Sequence, residues 1–266
     1  PTIKPYQPIS IEPSASVLHY GQAIFEGMKA YKDKNDEVWL FRPDQNFERI
    51  NKSAVRMAIP EFPKDLFFVA LTKLVDIDRD WVKHGDGKSL YLRPFVIGNE
   101  YAIQAVPSKN YKFMIICAPA TLYYTKKLKV LVADKFSRAA SGGVGYAKAA
   151  GNYAGQFYPT RLANDEGFDQ VIWTDANEHN YLEEAGTMNI FFRINDTLIT
   201  APTTDTILDG VTRKSLIQIA MDIGLKVEIK KLRVDELKKA AKNGSLKEIF
   251  GAGTAAVVSQ ISAFQH

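Results

Sequence analysis

The sequence predicts a mixed α and β chain in two lobes, and three observations carry that reading. Its 266 residues are 46% hydrophobic and 24% charged, enough to bury one large core or two modest ones. Helix-spaced and alternating apolar patterns succeed one another along the chain. A weakly periodic stretch rich in Tyr and Thr, Ala118 to Lys127, separates a first part from a second. The expected layout is a small N-terminal α+β domain at 1–118, a connection at 119–128 and a larger C-terminal domain at 129–266.

The elements follow in order. Phe47, Ile50, Ala54 and Met57 recur at helical spacing, with Asp44 or Asn46 as the cap, and Pro60 and Pro63 stop that helix. Leu66, Val69, Ala70, Lys73 and Leu74 mark a second helix. Ser89 to Ile97 reads as a strand with Tyr91 and Arg93 on one face and Leu90 and Leu92 on the other. In the second part, Val130 to Val132 is a strand, Asn152 to Leu162 a helix and Gln170 to Trp173 a short buried strand. Asn189 to Ile194 and Leu198 to Thr200 form a hairpin about Asn195-Asp196-Thr197. Leu216, Ile219, Ala220 and Ile223 mark a helix closed by Gly224; Lys226 to Lys230 is a strand; Asp235 to Asn243 is a helix closed by Gly244. A last strand runs into Gly251-Ala252-Gly253-Thr254.

Composition also excludes classes. With 17 Gly and 12 Pro the chain is neither collagenous nor low-complexity. A net charge of +4 over this length is a weak argument for nucleic acid, so no nucleic-acid partner is expected. No apolar run approaches a bilayer span, no leader pattern opens the sequence, and no membrane partner is expected. The one cysteine, Cys117, permits no disulfide within the chain, which points to a reducing compartment and a cytoplasmic location. No metal-ligand spacing stands out, and no metal is expected.

Four segments suggest chemistry. Ser141-Gly142-Gly143-Val144-Gly145-Tyr146-Ala147-Lys148 sets small residues before a lysine, a backbone shaped for close approach. Most lysines are solvated surface groups, and a phosphate loop also uses glycines and a lysine. Yet G-x-x-x-x-G-K-[ST] is absent, because Ala149 follows Lys148. In Tyr181 to Asn189, Glu183 and Glu184 precede small residues and an apolar strand, which suits either a charged turn or a carboxylate carried to a buried site. Asp209-Gly210-Val211-Thr212-Arg213 and Gly251 to Thr254 offer exposed backbone N–H groups to an anion, or are plain turns.

Together these segments resemble one family. The run His19 to Tyr31, containing Phe25-Glu26-Gly27-Met28-Lys29, is similar to the first signature of branched-chain amino-acid aminotransferases, pyridoxal-phosphate enzymes of fold type IV. Tyr91 to Glu100, Gly143 to Tyr153, Glu184 to Asn189 and Gly251 to Val258 match further signatures in family order. The resemblance implies a two-domain α+β fold like that of D-amino-acid aminotransferase, with a barrel-like sheet in the larger lobe. It implies pyridoxal 5'-phosphate as cofactor and Lys148 as the catalytic Schiff-base lysine. Glu184 would hold the pyridine nitrogen protonated, Tyr153 would donate to the phenolic oxygen, and Arg49, Val211, Thr212 and Thr254 would bind the phosphate. Tyr20, Phe25, Tyr91, Thr187 and Ala255, with Tyr123 near them, would wall an apolar substrate pocket, and Arg93 would meet the distal carboxylate of glutamate.

The implied reaction is ping-pong transfer of the amino group of Leu, Ile or Val to 2-oxoglutarate by a cytoplasmic homodimer, with pocket residues lent by the partner. Family members begin earlier and continue further, so the C-terminal domain is expected to be truncated. Rivals are a D-amino-acid aminotransferase, an aminodeoxychorismate lyase and a nucleotide-binding module. Phe25 to Lys29 and Arg93-Pro94 argue against the first two.

Overall fold

A computed structural model describes residues 2–266, and the chain divides into two units. Among the described residues the first comprises 2–122 together with Ala147–Gly151, and the second Tyr123–Tyr146 together with Asn152–His266. The chain passes from the first unit to the second between Leu122 and Tyr123, and 147–151 joins the first unit despite lying far along the chain. Nothing local announces that excursion, because hydrogen bonds to β1 (given below) produce it.

In the first unit, α1 (Ser16–Tyr20) and β1 (Ala23–Phe25) lead into the hairpin β2 (Met28–Lys32) and β3 (Val38–Leu40). Helices α2 (Pro43–Arg56) and α3 (Lys64–Ile77) follow, then the long strands β4 (Ser89–Gly98) and β5 (Tyr111–Ala120). The pairs β1–β4, β2–β4, β2–β3 and β4–β5 are all antiparallel. One sheet face carries Met28, Ala30, Leu90, Leu92 and Val96, which cluster with Ile50 and Ala54 of α2 and Phe67, Leu71 and Val75 of α3. Alternation along β4 puts Tyr91, Arg93 and Phe95 on the opposite face, half-buried.

Helix α2 begins earlier than its polar residues suggested. Pro43 occupies its first turn and the preceding Arg42 takes a left-handed φ of 49°, so Asp44 lies inside the first turn instead of capping it. Proline's fixed φ suits that first position.

In the second unit the strands are β6 (Leu128–Val132), β7 (Gln170–Thr174), β8 (Tyr181–Ala185), β9 (Met188–Ile194), β10 (Thr197–Thr200), β11 (Lys226–Ile229), β12 (Leu232–Arg233), β13 (Leu246–Gly253) and β14 (Val257–Gln265). The helices are α4 (Gly151–Asp165), α5 (Val211–Asp222) and α6 (Val234–Lys242). The ladder β9–β13–β14–β6–β7–β8 returns to β9 through the pairs Glu184↔Asn189 and Ala185↔Met188, closing a barrel. Leu128, Val130, Ile172, Leu182, Ile190, Phe192 and Ile249 belong to one buried cluster of this unit. The hairpin β9–β10 pairs Ile194 with Thr197 across Asn195-Asp196, and Asn195 adopts the positive φ that tight hairpins require. Thr197 is therefore the first residue of β10, not part of the turn.

Candidate active site

Each unit gathers its own constellation. In the first, the short strand β1 is extended by the returning segment. Phe25 N–H donates to the Lys148 carbonyl (3.1 Å), Ala150 N–H donates to the Ala23 carbonyl (3.0 Å), and Ile24 bridges Ala149. Buried Ala147 and Ala149 flank Lys148, so small side chains let the backbone lie against the sheet edge. Lys148 N–H donates to Ser53 Oγ (2.9 Å), and Ser53 in turn donates to the Arg49 carbonyl one turn earlier in α2. The lysine backbone is thus fixed on both sides, while its ammonium stands 4.8 Å from the centre of the Phe25 ring.

Glu26 was not singled out from sequence, yet it is the most enclosed acid of this constellation, with no exposed surface. Its carboxylate accepts from Arg49 Nε (2.7 Å) and Nη2 (2.9 Å), Asn46 Nδ2 (2.7 Å) and Gly27 N–H (3.1 Å). Burial pushes its pKa up, but the charge and hydrogen bonds of Arg49, the charge of Lys148 and the Asn46 bond outweigh that and hold it below the usual value. Arg49, expected to face a phosphate, spends two of a guanidinium's five N–H donors on Glu26.

The half-buried sheet face beside β1 holds Phe25, Tyr91 and Arg93, three of the residues expected for substrate. Arg93 Nη2 donates to Tyr91 Oη (2.8 Å), and the Arg93 guanidinium lies 4.5 Å from the Phe25 ring centre. The same ring therefore carries the Arg93 guanidinium and the Lys148 ammonium. The Arg93 Nε is buried without a hydrogen-bond partner. Gly27 is required here, because a Cβ would collide with the Tyr91 hydroxyl. Tyr20 ends α1 with 43% of its surface exposed.

In the second unit, the β8–β9 hairpin presents Glu184. Its Oε1 accepts from Asn189 Nδ2 (3.0 Å) and Leu208 N–H (2.9 Å), and its Oε2 lies 2.8 Å from Arg138 Nε. The last contact is a close ion pair that lacks the alignment of a hydrogen bond. Both side chains are about 5% exposed or less, so the carboxylate is held in one place as an anion beside a cation. Arg138 also donates to the carbonyls of Gly145 and Thr206. Sequence reasoning missed Arg138; its only signal was a cation ten residues before Lys148 in a segment of small residues.

Asn189 further donates to the Leu208 carbonyl, tying Glu184 to the loop that enters α5. Gly210 precedes α5 and would drive a Cβ into the Asn189 amide. No side chain caps α5, so its opening amides at Val211 and Thr212 form an end suited to an anion. Thr254 and Ala255 lie in the turn joining β13 to β14, and Val257, the first residue of β14, takes a left-handed φ of 57°, a strained choice for a β-branched residue. Thr187 is exposed at the β8–β9 turn, and Tyr153 lies half-buried on α4.

Glu183 plays a different part. Thr206 donates to its Oε1 (2.7 Å), its Oε2 is buried without a partner, and burial pushes its pKa up to about 6. The folded protein therefore binds a proton more readily than the unfolded chain between the ordinary value of 4.5 and about 6. Stability from this group falls as pH rises through that window, by about 1 kcal/mol. In Glu183→Gln that loss should vanish, flattening the melting-temperature profile between about pH 4.5 and 6 relative to the parent protein. An unchanged slope would mean that Glu183 binds its proton equally well in the folded and unfolded chain.

Among the described residues no group of three or more His, Cys, Asp and Glu could hold a metal, and no helix is long and apolar enough to cross a membrane. Comparison with known proteins identifies the family. The family model described as amino-transferase class IV matches residues 23–264. Branched-chain-amino-acid transaminase 1 of Bacillus subtilis is 47% identical over 265 residues, covering 98% of this chain and 74% of that protein. Branched-chain-amino-acid aminotransferase 2 of the same organism is 46% identical, covering 98% and 73%. Among solved structures, the Escherichia coli branched-chain amino acid aminotransferase superposes with a TM-score of 0.79 at 25% identity, over 96% of this chain and 80% of that one. A T.th. branched-chain amino acid aminotransferase in complex with N-(5'-phosphopyridoxyl)-L-glutamate gives 0.80 at 25%, over the same shares. The chain belongs to the class IV aminotransferases and, within them, to the branched-chain-amino-acid aminotransferases.

Proposed function

We propose that the protein moves the amino group of leucine, isoleucine or valine to 2-oxoglutarate in two half-reactions, using pyridoxal 5'-phosphate. The observation that carries this reading is the Lys148 ammonium, fixed over the Phe25 ring beside a face that offers both apolar walls and the Arg93 guanidinium. The donor set suits the cofactor: an amine nucleophile, a buried carboxylate in Glu184, and the uncapped amides of α5 for a phosphate. Bound there, the cofactor supplies an electron-accepting ring.

Lys148 binds the cofactor and then moves the proton at the substrate Cα, as acid and base in turn. Glu184, held by Asn189, Leu208 and Arg138, keeps a proton on the pyridine nitrogen. Tyr153 donates to the phenolic oxygen. Arg49, Val211, Thr212 and Thr254 take the phosphate, with Arg49 oriented by its bonds to Glu26. Tyr20, Phe25, Tyr91, Thr187 and Ala255 wall the apolar part of the substrate pocket. The active form is a homodimer in the cytoplasm, to whose partner the exposed Tyr20 is offered.

An amino-donor panel with 2-oxoglutarate tests the reading. Leucine, isoleucine and valine should all react. Reaction of D-amino acids alone, or of none, would overturn it. A nucleotide-binding module would bind no cofactor with visible absorbance.

Arg93 is expected to separate the two substrate classes. A charge-assisted contact to a distal carboxylate is worth roughly 1.5–3 kcal/mol, or about one to two decades in rate. Arg93→Ala should therefore depress kcat/KM for glutamate and 2-oxoglutarate by that order and the leucine half-reaction far less. Arg93→Lys should recover only part, because a point ammonium lacks the guanidinium fork. Single-turnover absorbance of each half-reaction decides; equal losses on both would make Arg93 a structural residue.

A further inference from the structure

The sheet face that bears Tyr91 and Arg93 holds a second cation to which no role has been given. Lys29, in β2, is directly paired with Tyr91 in β4, and residues so paired project to the same face with Cβ atoms about 4.5–5.5 Å apart. The opposite face is the apolar core under α2 and α3, to which Lys29's neighbours Met28 and Ala30 contribute. Lys29 is nevertheless only 4% exposed, although Tyr31, two residues on along the same strand, is 36% exposed. Burial pushes its pKa down.

Tyr91 connects the two cations. Its backbone pairs with Lys29, and its hydroxyl accepts from Arg93 Nη2 (2.8 Å). Arg93 also keeps a buried Nε without a partner, so the face has donor capacity to spare for an anion. Phe25, on the adjacent strand, touches Arg93 on this face and lies under the Lys148 ammonium. An anion at Arg93 is thus on the side of the sheet where the reactive amine stands.

We propose that Lys29 is a second specificity-determining cation, acting with Arg93 on the distal carboxylate of a dicarboxylate substrate; this rests on the transaminase reading above. Two cations across a strand pair distinguish a carboxylate from an isobutyl group better than one does. The apolar substrate gains nothing from the charge, whereas the dicarboxylate brings an anion that needs pairing.

Binding of two unreactive acids to the holoenzyme, followed by its visible absorbance, tests this directly. Glutarate carries the second carboxylate and 4-methylvalerate the branched apolar end. Lys29→Gln should raise the Kd of glutarate about tenfold more than that of 4-methylvalerate, while Lys29→Arg keeps the two in nearly the parent ratio. Lys29→Met carries the same measurement should the glutamine variant fail to fold. Equal changes for both acids would overturn the proposal, as would failure of both neutral variants to fold, since Lys29 would then serve the fold. A parent protein that transaminates leucine while its Lys29 variants leave the ratio untouched loses this inference alone. A parent that transaminates no branched-chain donor loses the underlying reading.

Discussion

Lys148→Ala is expected to lose at least about four decades of transamination, since one side chain supplies both the nucleophile and the proton carrier. The fold should survive. Two backbone contacts of this residue, its N–H on Ser53 and its carbonyl beneath Phe25 N–H, are kept by alanine. Melting should therefore move by no more than about 1 kcal/mol equivalent, the usual range away from buried contacts. Cofactor should still bind through its phosphate, now without a covalent bond to the protein. Assaying turnover, melting and retained cofactor on one preparation separates chemistry from folding. Near-normal turnover would remove Lys148 from the mechanism.

Glu184→Gln should cost about a hundredfold or more in rate, the scale expected when a fixed charge is removed from a reacting centre. It should also destabilise, because Arg138 would remain buried opposite a neutral amide. Breaking a buried pair by removing one partner costs about 3–5 kcal/mol. Glu183→Gln should be mild in rate, since its neighbour Thr206 can hydrogen-bond an amide as well. Steady-state rates and denaturant midpoints for both variants decide the assignment. If Glu183→Gln proved the more damaging to rate, the carboxylate assigned to the cofactor would be the wrong one of the two.

The parts legible in sequence are those fixed by short-range pattern. Phe47, Ile50 and Ala54 announce the inner face of α2, and the alternation from Ser89 to Ile97 announces which side of β4 bears Tyr91 and Arg93. Asn195-Asp196 announces a hairpin, because asparagine tolerates the left-handed conformation that the turn demands. The closure of β8 onto β9 as part of a barrel is not local, since each strand also needs partners from distant segments. Glu26 escaped notice for a similar reason. An acid in an apolar signature reads as an anomaly until Arg49 and Asn46 are brought to it by α2. Arg138 gives no cue that its counter-ion stands on the far side of Lys148 in the sequence. Lys148 itself became readable only because small residues crowd about it, the trace of a backbone that must lie flat against a sheet edge.

That sheet edge has a consequence for the order in which the protein is made. When a ribosome has delivered β1 and β4, one side of β1 still lacks the strand-like partner that Lys148 to Ala150 will provide. That partner begins 50 residues beyond Gly98, the end of β4, so the nascent chain carries a bare edge through several seconds of translation. Unsatisfied strand edges invite pairing with other chains. A fragment ending at Leu122 would keep that vulnerability for good, and a chaperone that shields β1 until Gly151 emerges would raise the yield of the full chain without touching its stability.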